Sequence, residues 1–173
     1  MTTALRVLAL CLLLVLPAKA DGPGFHDSLL DRLTGNWVMT GTIAGDEITH
    51  DLEAEWVLGH WYFRFHEISR EKESDGTPAY EAIVFIGWDE PTSRYACLWL
   101  DITGGSGLSN GVIGYAKREQ DTIPFVFDMG DGSAIHNTFA YDRERDTWNW
   151  TIDTGPSDAL SNFARVTLTR STD

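Results

Sequence analysis

The chain has 173 residues, 26 acidic against 13 basic, and a formal net charge of −13 at pH 7. An acid excess of that size argues against nucleic acid and against anionic membrane surfaces as partners. Hydrophobic residues make up 43% of the chain, enough for one domain with a sizeable core.

Met1 to Arg6 carries a positive charge, Val7 to Pro17 is apolar, and Ala18-Lys19-Ala20 is a small-x-small site. This is the pattern of a secretory signal peptide over residues 1–20, with cleavage expected after Ala20. The apolar run is too short for a membrane span, which needs about 20 residues. Leu10 before Cys11 is too large for a lipoprotein cleavage site. The expected product is therefore an exported, soluble protein, periplasmic or extracellular, with no membrane insertion. Removing the leader takes Arg6 and Lys19 and no acid; it leaves 173 minus 20, or 153, residues and a charge of 11 minus 26, or −15. Cys97 is then the sole cysteine, so no intrachain disulfide can form, which favours a bacterial exported protein over a small eukaryotic secreted domain. Asn149-Trp150-Thr151 matches a glycosylation sequon, of consequence only in a eukaryotic host.

Asp27 to Leu33 has an N-cap candidate in Asp27 and apolar residues at 29, 30 and 33, predicting one or two helical turns. A second possible turn lies at Ser157 to Leu160. The remainder predicts ten strands: Trp37–Ile43, Ile48–Leu58, Trp61–Ser69, Tyr80–Trp88, Arg94–Asp101, Leu108–Ala116, Ile123–Met129, Ala134–Tyr141, Trp148–Thr154 and Phe163–Arg170. Glycine, proline and aspartate clusters punctuate them, from Ala44-Gly45-Asp46 to Gly155-Pro156-Ser157.

Ile48 to Ser69 is the most informative stretch. Ile48, His50, Leu52, Ala54, Trp56 and Leu58 alternate with a polar row, the signature of a half-buried antiparallel strand. Gly59-His60 suits a two-residue type II′ turn. That register pairs Leu58 with Trp61, Trp56 with Phe63 and Ala54 with Phe65 on the inner face. Outside, it sets Glu55 opposite Arg64 and Glu53 opposite His66, where solvated cross-strand pairing explains both basic residues.

Ten short strands on short connections predict an all-β, single-domain antiparallel meander over residues 21–173. Such a meander hides its edges by closing into an up-and-down barrel. A sandwich is the alternative, but Greek-key sandwiches need longer crossovers.

Leu33-Thr34-Gly35-Asn36-Trp37, a short helix running into Gly-x-Trp, resembles the opening of lipocalins and the wider calycin group. Gly87-Trp88-Asp89 followed by Trp99-Leu100-Asp101 resembles more closely an exported bacterial lipocalin-like family of unknown function. The resemblance implies a barrel whose closed end is crossed by Trp37, with Gly35 as the structural glycine of the same motif and a basic residue of the last strand over the indole. Arg165 and Arg170 are the candidates; Arg170 shares the inward parity of Ala164, Val166 and Leu168 and is expected to cover Trp37. The family also lies near nitrobindins, haem-binding barrels of similar size, which makes haem held by a histidine an alternative.

Candidate chemistry is sparse. The five histidines show no metal-ligand spacing, so no metal is expected. The acidic loop at Asp128 to Gly132 lacks the ligand pattern of calcium loops. Gly104-Gly105-Ser106-Gly107 lacks the strand-turn-helix setting of a nucleophilic serine. Cys97 sits mid-strand as a small hydrophobe. Seven tryptophans, five tyrosines and eight phenylalanines suggest a core, and also a lining for a planar or apolar ligand. Trp56, Phe63, Phe65, Trp99, Trp148 and Trp150 are the candidate lining. His50 and Glu67 are the two inward polar residues, diagonal neighbours near the open end of the hairpin. They are candidates for the polar end of a ligand, or for an acid/base pair in an isomerase- or cyclase-type proton transfer. The expected function is binding of a small, largely apolar molecule inside the barrel, with no cofactor expected otherwise.

Overall fold

The computed structural model describes residues 24–104, 112–156 and 158–172. One helical turn, α1 (Leu30–Leu33), precedes ten strands. They are β1 (Gly35–Ile43), β2 (Asp46–Val57), β3 (Tyr62–Ser69), β4 (Glu81–Asp89), β5 (Arg94–Asp101), β6 (Ile113–Ala116), β7 (Thr122–Asp128), β8 (Ala134–Asp142), β9 (Thr147–Gly155) and β10 (Ser161–Arg170). Each strand pairs antiparallel with its sequence neighbour, and β10 returns to β1, closing an up-and-down barrel. The predicted meander and its closure are therefore observed. The predicted leader, and Leu108 to Gly111 of the predicted sixth strand, lie outside the described residues.

The hairpin register between β2 and β3 is the expected one: Trp56 faces Phe63, Ala54 faces Phe65, and Glu55 faces Arg64. The turn itself differs. A II′ turn needs positive φ at its first central residue only, but Leu58, Gly59 and His60 all have it. Four residues, Leu58 to Trp61, therefore make the connection, and Leu58 and Trp61 are 72% and 51% exposed rather than paired inside. Widening the loop by one residue on each side leaves every remaining pair unchanged, so the register survives the error. Outside, Arg64 bonds Glu55 at 2.8 Å, and Glu53 faces His66 as expected, although the His66 side chain bonds Glu81 at 2.7 Å.

One end of the barrel is plugged. Asp27 accepts hydrogen bonds from the Leu29 and Leu30 N–H groups at Oδ1, the predicted N-cap, and one from the Tyr95 hydroxyl at Oδ2, 2.5 Å away. Arg118 approaches the same carboxylate at 3.3 Å. Phe25 packs 5.6–5.7 Å from the rings of Trp56, Trp88 and Tyr95. Leu29, Leu30 and Leu33 are buried beneath. Trp37 donates its indole N–H to Leu33 O at 2.6 Å, and the Arg170 guanidinium lies 3.8 Å over its ring, as expected. Gly35 sits at φ +114°, and a side chain there would meet Arg170 at 3.0 Å.

Candidate functional site

The strand order puts the second set of loops, β1–β2, β3–β4, β5–β6, β7–β8 and β9–β10, at the end opposite the plug. His50 and Glu67 lie on the inner face near it. Leu52 faces Glu67 across the ladder and His50 faces Ser69, so the two polar residues are diagonal neighbours, as the alternation predicted. Both are buried, Glu67 at 1% exposure. His50 Nδ1 and Glu67 Oε1 lie 2.6 Å apart and share a proton. Of the two Glu67 oxygens, only Oε1 is engaged among the described residues.

The environment of this pair is mostly aromatic. Tyr80, just before β4, stacks on His50 with ring centroids 5.6 Å apart. The Trp99 indole N–H donates to the Tyr80 oxygen at 3.3 Å. Asp101, at the end of β5, acts on the Tyr80 hydroxyl as a nearby negative charge. Burial pushes the Glu67 carboxyl above the ordinary value of 4.5; the His50 hydrogen bond pulls it down less, and the Asp101 charge adds to the rise. Burial, followed by the charges of Glu67 and Asp101, raises the Tyr80 phenol well above its ordinary value. Tyr80 therefore stays a neutral phenol at any physiological pH. A neutral phenol, a buried carboxyl and an imidazole can together bind a polar head group or exchange a proton with it.

The other expected lining residues divide into two groups. Phe65, Trp99 and Trp150 stand close to the pair, with centroids 5.2–5.6 Å from one another. Phe139 stacks on Trp150 at 4.7 Å, and Trp150 donates to Asn137. Trp56, Phe63 and Trp148 belong to the plugged half. Trp56 donates to Asp31 at 2.8 Å and packs against Phe63 at 5.2 Å. Trp148 lies 5.2 Å from Tyr141. Six strand residues separate His50 from Trp56, about 20 Å at roughly 3.3 Å per residue, so the six rings do not line one chamber. They pack on each other and fill the interior. A depression of about 380 Å³ opens at the rim between β2 and β3, bounded by Ile48 and by Ser69, the cross-strand partner of His50. A second, of about 320 Å³, lies on the outer wall beside Asp51 and His66. Cys97 is fully buried, and burial holds its thiol far above the range in which it would be a nucleophile.

Sequence reasoning missed Tyr80 and Asp101. Their parity was available: Tyr80 alternates with Ala82, Val84 and Ile86, and Asp101 with Cys97 and Trp99. Both sets face inward.

No family model and no curated protein matches this chain. Among solved structures, it is similar to the crystal structure of Rv2717c from M. tuberculosis, with a TM-score of 0.55 and 12% identity over 84% of this chain and 98% of that one. A redesigned beta barrel aligns over 83% of this chain and 95% of its own, at 13% identity and a TM-score of 0.44. At such identity the likeness to Rv2717c shows a shared barrel fold and nothing further.

Proposed function

We propose that this chain is an exported, calycin-like barrel that binds a small, largely apolar molecule by its polar end at His50 and Glu67. The observation that carries the reading is a buried carboxyl, half engaged, in largely aromatic surroundings. An ionisable group in such a place is costly unless it serves a partner. Because aromatic side chains fill the middle of the barrel, the ligand is held at the unplugged end, against Tyr80, Trp99 and Phe65, rather than deep inside. Native mass spectrometry of protein isolated from its natural source tests this. A retained small molecule is expected in the wild type and in Glu53→Gln, and its loss in His50→Phe. Retention in His50→Phe, or loss in Glu53→Gln alone, overturns the placement.

The raised Glu67 carboxyl beside His50 favours a second reading, proton transfer within a bound substrate. In that case turnover falls in both Glu67→Gln and His50→Phe. Haem has less support. His50 is the inward histidine at this end among the described residues, and the rings of Phe65, Trp99 and Trp150 pack against one another near it. A Soret band on haem titration would reinstate it.

A further inference from the structure

We propose that the unplugged end selects an organic cation, a primary amine carrying an apolar body, held between Glu67 and Asp101. This rests on the reading that the ligand's polar end meets His50 and Glu67.

The ladder sets the geometry. Glu67 faces Ala82, and Ala82 faces Asp101, so the three stand in one row on the inner face of β3, β4 and β5. Two strand spacings of about 4.8 Å separate the acidic residues by roughly 9–10 Å of backbone, with Ala82 between them. An ammonium group entering from the rim beside Tyr80 would come within reach of both carboxyls. Tyr80 stands over Ala82 on the same face, bracketed by His50 and Trp99.

The sign of the charge follows from a count. Among the described residues, no lysine or arginine shares the inner face of this half. Arg70, at the rim, is turned outward onto Asp51 through three hydrogen bonds of 2.6–3.0 Å. Wherever the shared proton sits, the His50–Glu67 pair sums to zero, and to −1 if the proton leaves. Asp101 makes either of these totals negative. A carboxylate or phosphate head group would enter this field with no counter-charge, in surroundings that screen it poorly. An ammonium supplies N–H donors to the unengaged Glu67 oxygen and a charge opposite to that of Asp101. The faces of Tyr80 and Trp99 add cation–π attraction, worth more when desolvated. Ile102, the residue after Asp101, is 58% exposed at the rim and offers a surface to the apolar body.

The experiment is a calorimetric titration with three probes of one shape: phenethylamine, 2-phenylethanol and 3-phenylpropanoate. The amine is expected to bind at least about tenfold tighter than the other two, and to lose about tenfold in Glu67→Gln and in Asp101→Asn, but not in Glu53→Gln. Asp101→Asn keeps an oxygen for the Thr103 N–H that Asp101 accepts at 2.7 Å, so it tests the charge even where the Glu67 variant fails to fold. Tighter or equal binding of the carboxylate, or no saturable amine binding, overturns the proposal. If the alcohol or carboxylate binds and His50→Phe abolishes it, the site stands and the cation preference alone fails. If the amine binds equally well to all three site variants, the site lies elsewhere and both readings fail.

Discussion

Burial holds the Glu67 carboxyl above 4.5 despite the hydrogen bond with His50, and this carries a stability consequence of unusual sign. Between 4.5 and its folded value, the native state binds a proton that the unfolded chain has released. Stability therefore falls as pH rises through that window, and the contribution is fully present only below 4.5. Asp51 and Asp121 work in the opposite direction. Hydrogen bonds from Arg70 and Arg143 hold them below 3.8, so their contribution is lost only as pH falls further. The two effects do not overlap. Glu67→Gln keeps the shape and removes the titration, so its melting temperature, relative to wild type, should climb between about pH 4 and about pH 8. A difference independent of pH would mean that Glu67 is solvated in the native state. A second residue-scale expectation concerns Arg170. It covers Trp37 and donates to Thr34 O and Arg32 O at 2.6 and 2.8 Å, closing the end of α1. Arg170→Ala should cost about 1–3 kcal/mol in urea unfolding, and Arg170→Lys should recover little, because a single ammonium cannot span two carbonyls and a ring face at once.

Strand positions were legible because each strand buries one face, and period two survives local noise. Arg94–Asp101 is observed with its predicted ends, and most other described boundaries move by one or two residues. The exposed Trp61 shows the limit. Alternation assigned it inward, but three consecutive positive φ angles at the loop turn it out, and backbone twist of that kind leaves no trace in hydropathy. The plug was half legible. Its cap is local, two and three residues long, whereas the contact from Asp27 to Tyr95 crosses 68 residues and the one to Arg118 crosses 91. Nothing in the pattern of either segment announces the other. The shared carboxylate makes a test of coupling at this scale. Asp27→Ala removes the cap, about 0.5–2 kcal/mol, and strands the buried Tyr95 hydroxyl, about 1–3 kcal/mol. Adding Tyr95→Phe should return most of the second loss. A double-mutant cycle by chemical denaturation should therefore be clearly non-additive. Additive costs would mean that the plug and the barrel wall do not share this bond.

At the scale of the whole molecule, the closed ladder decides whether the chain is a discrete particle. An open meander of this length would present two unpaired edges, each a template for another copy. The seam between β1 and β10 removes both, and Gly41 sits in it, facing Val166. A side chain at Gly41 would meet the Arg165 carbonyl at 2.2 Å and the Val166 Cα at 2.8 Å, both backbone atoms that cannot move without parting the strands. The φ of +145° adds its own strain for any residue with a Cβ. The charge helps keep separate copies apart, but it cannot mend an edge, since strand pairing is short-ranged and the charges are screened within about 10 Å at moderate salt. Gly41→Val should therefore do two things. It should lower stability by more than the 0.5–3 kcal/mol of an ordinary substitution, and it should convert the protein into concentration-dependent assemblies as β1 and β10 seek new partners. Light scattering across a dilution series, with thermal melts at each concentration, measures both. Gly45→Val, in the β1–β2 turn where a side chain has open space, controls for the φ penalty alone. If Gly41→Val melts lower yet scatters as a monomer at every concentration, the barrel tolerates a parted seam, and closure contributes stability without guarding against association.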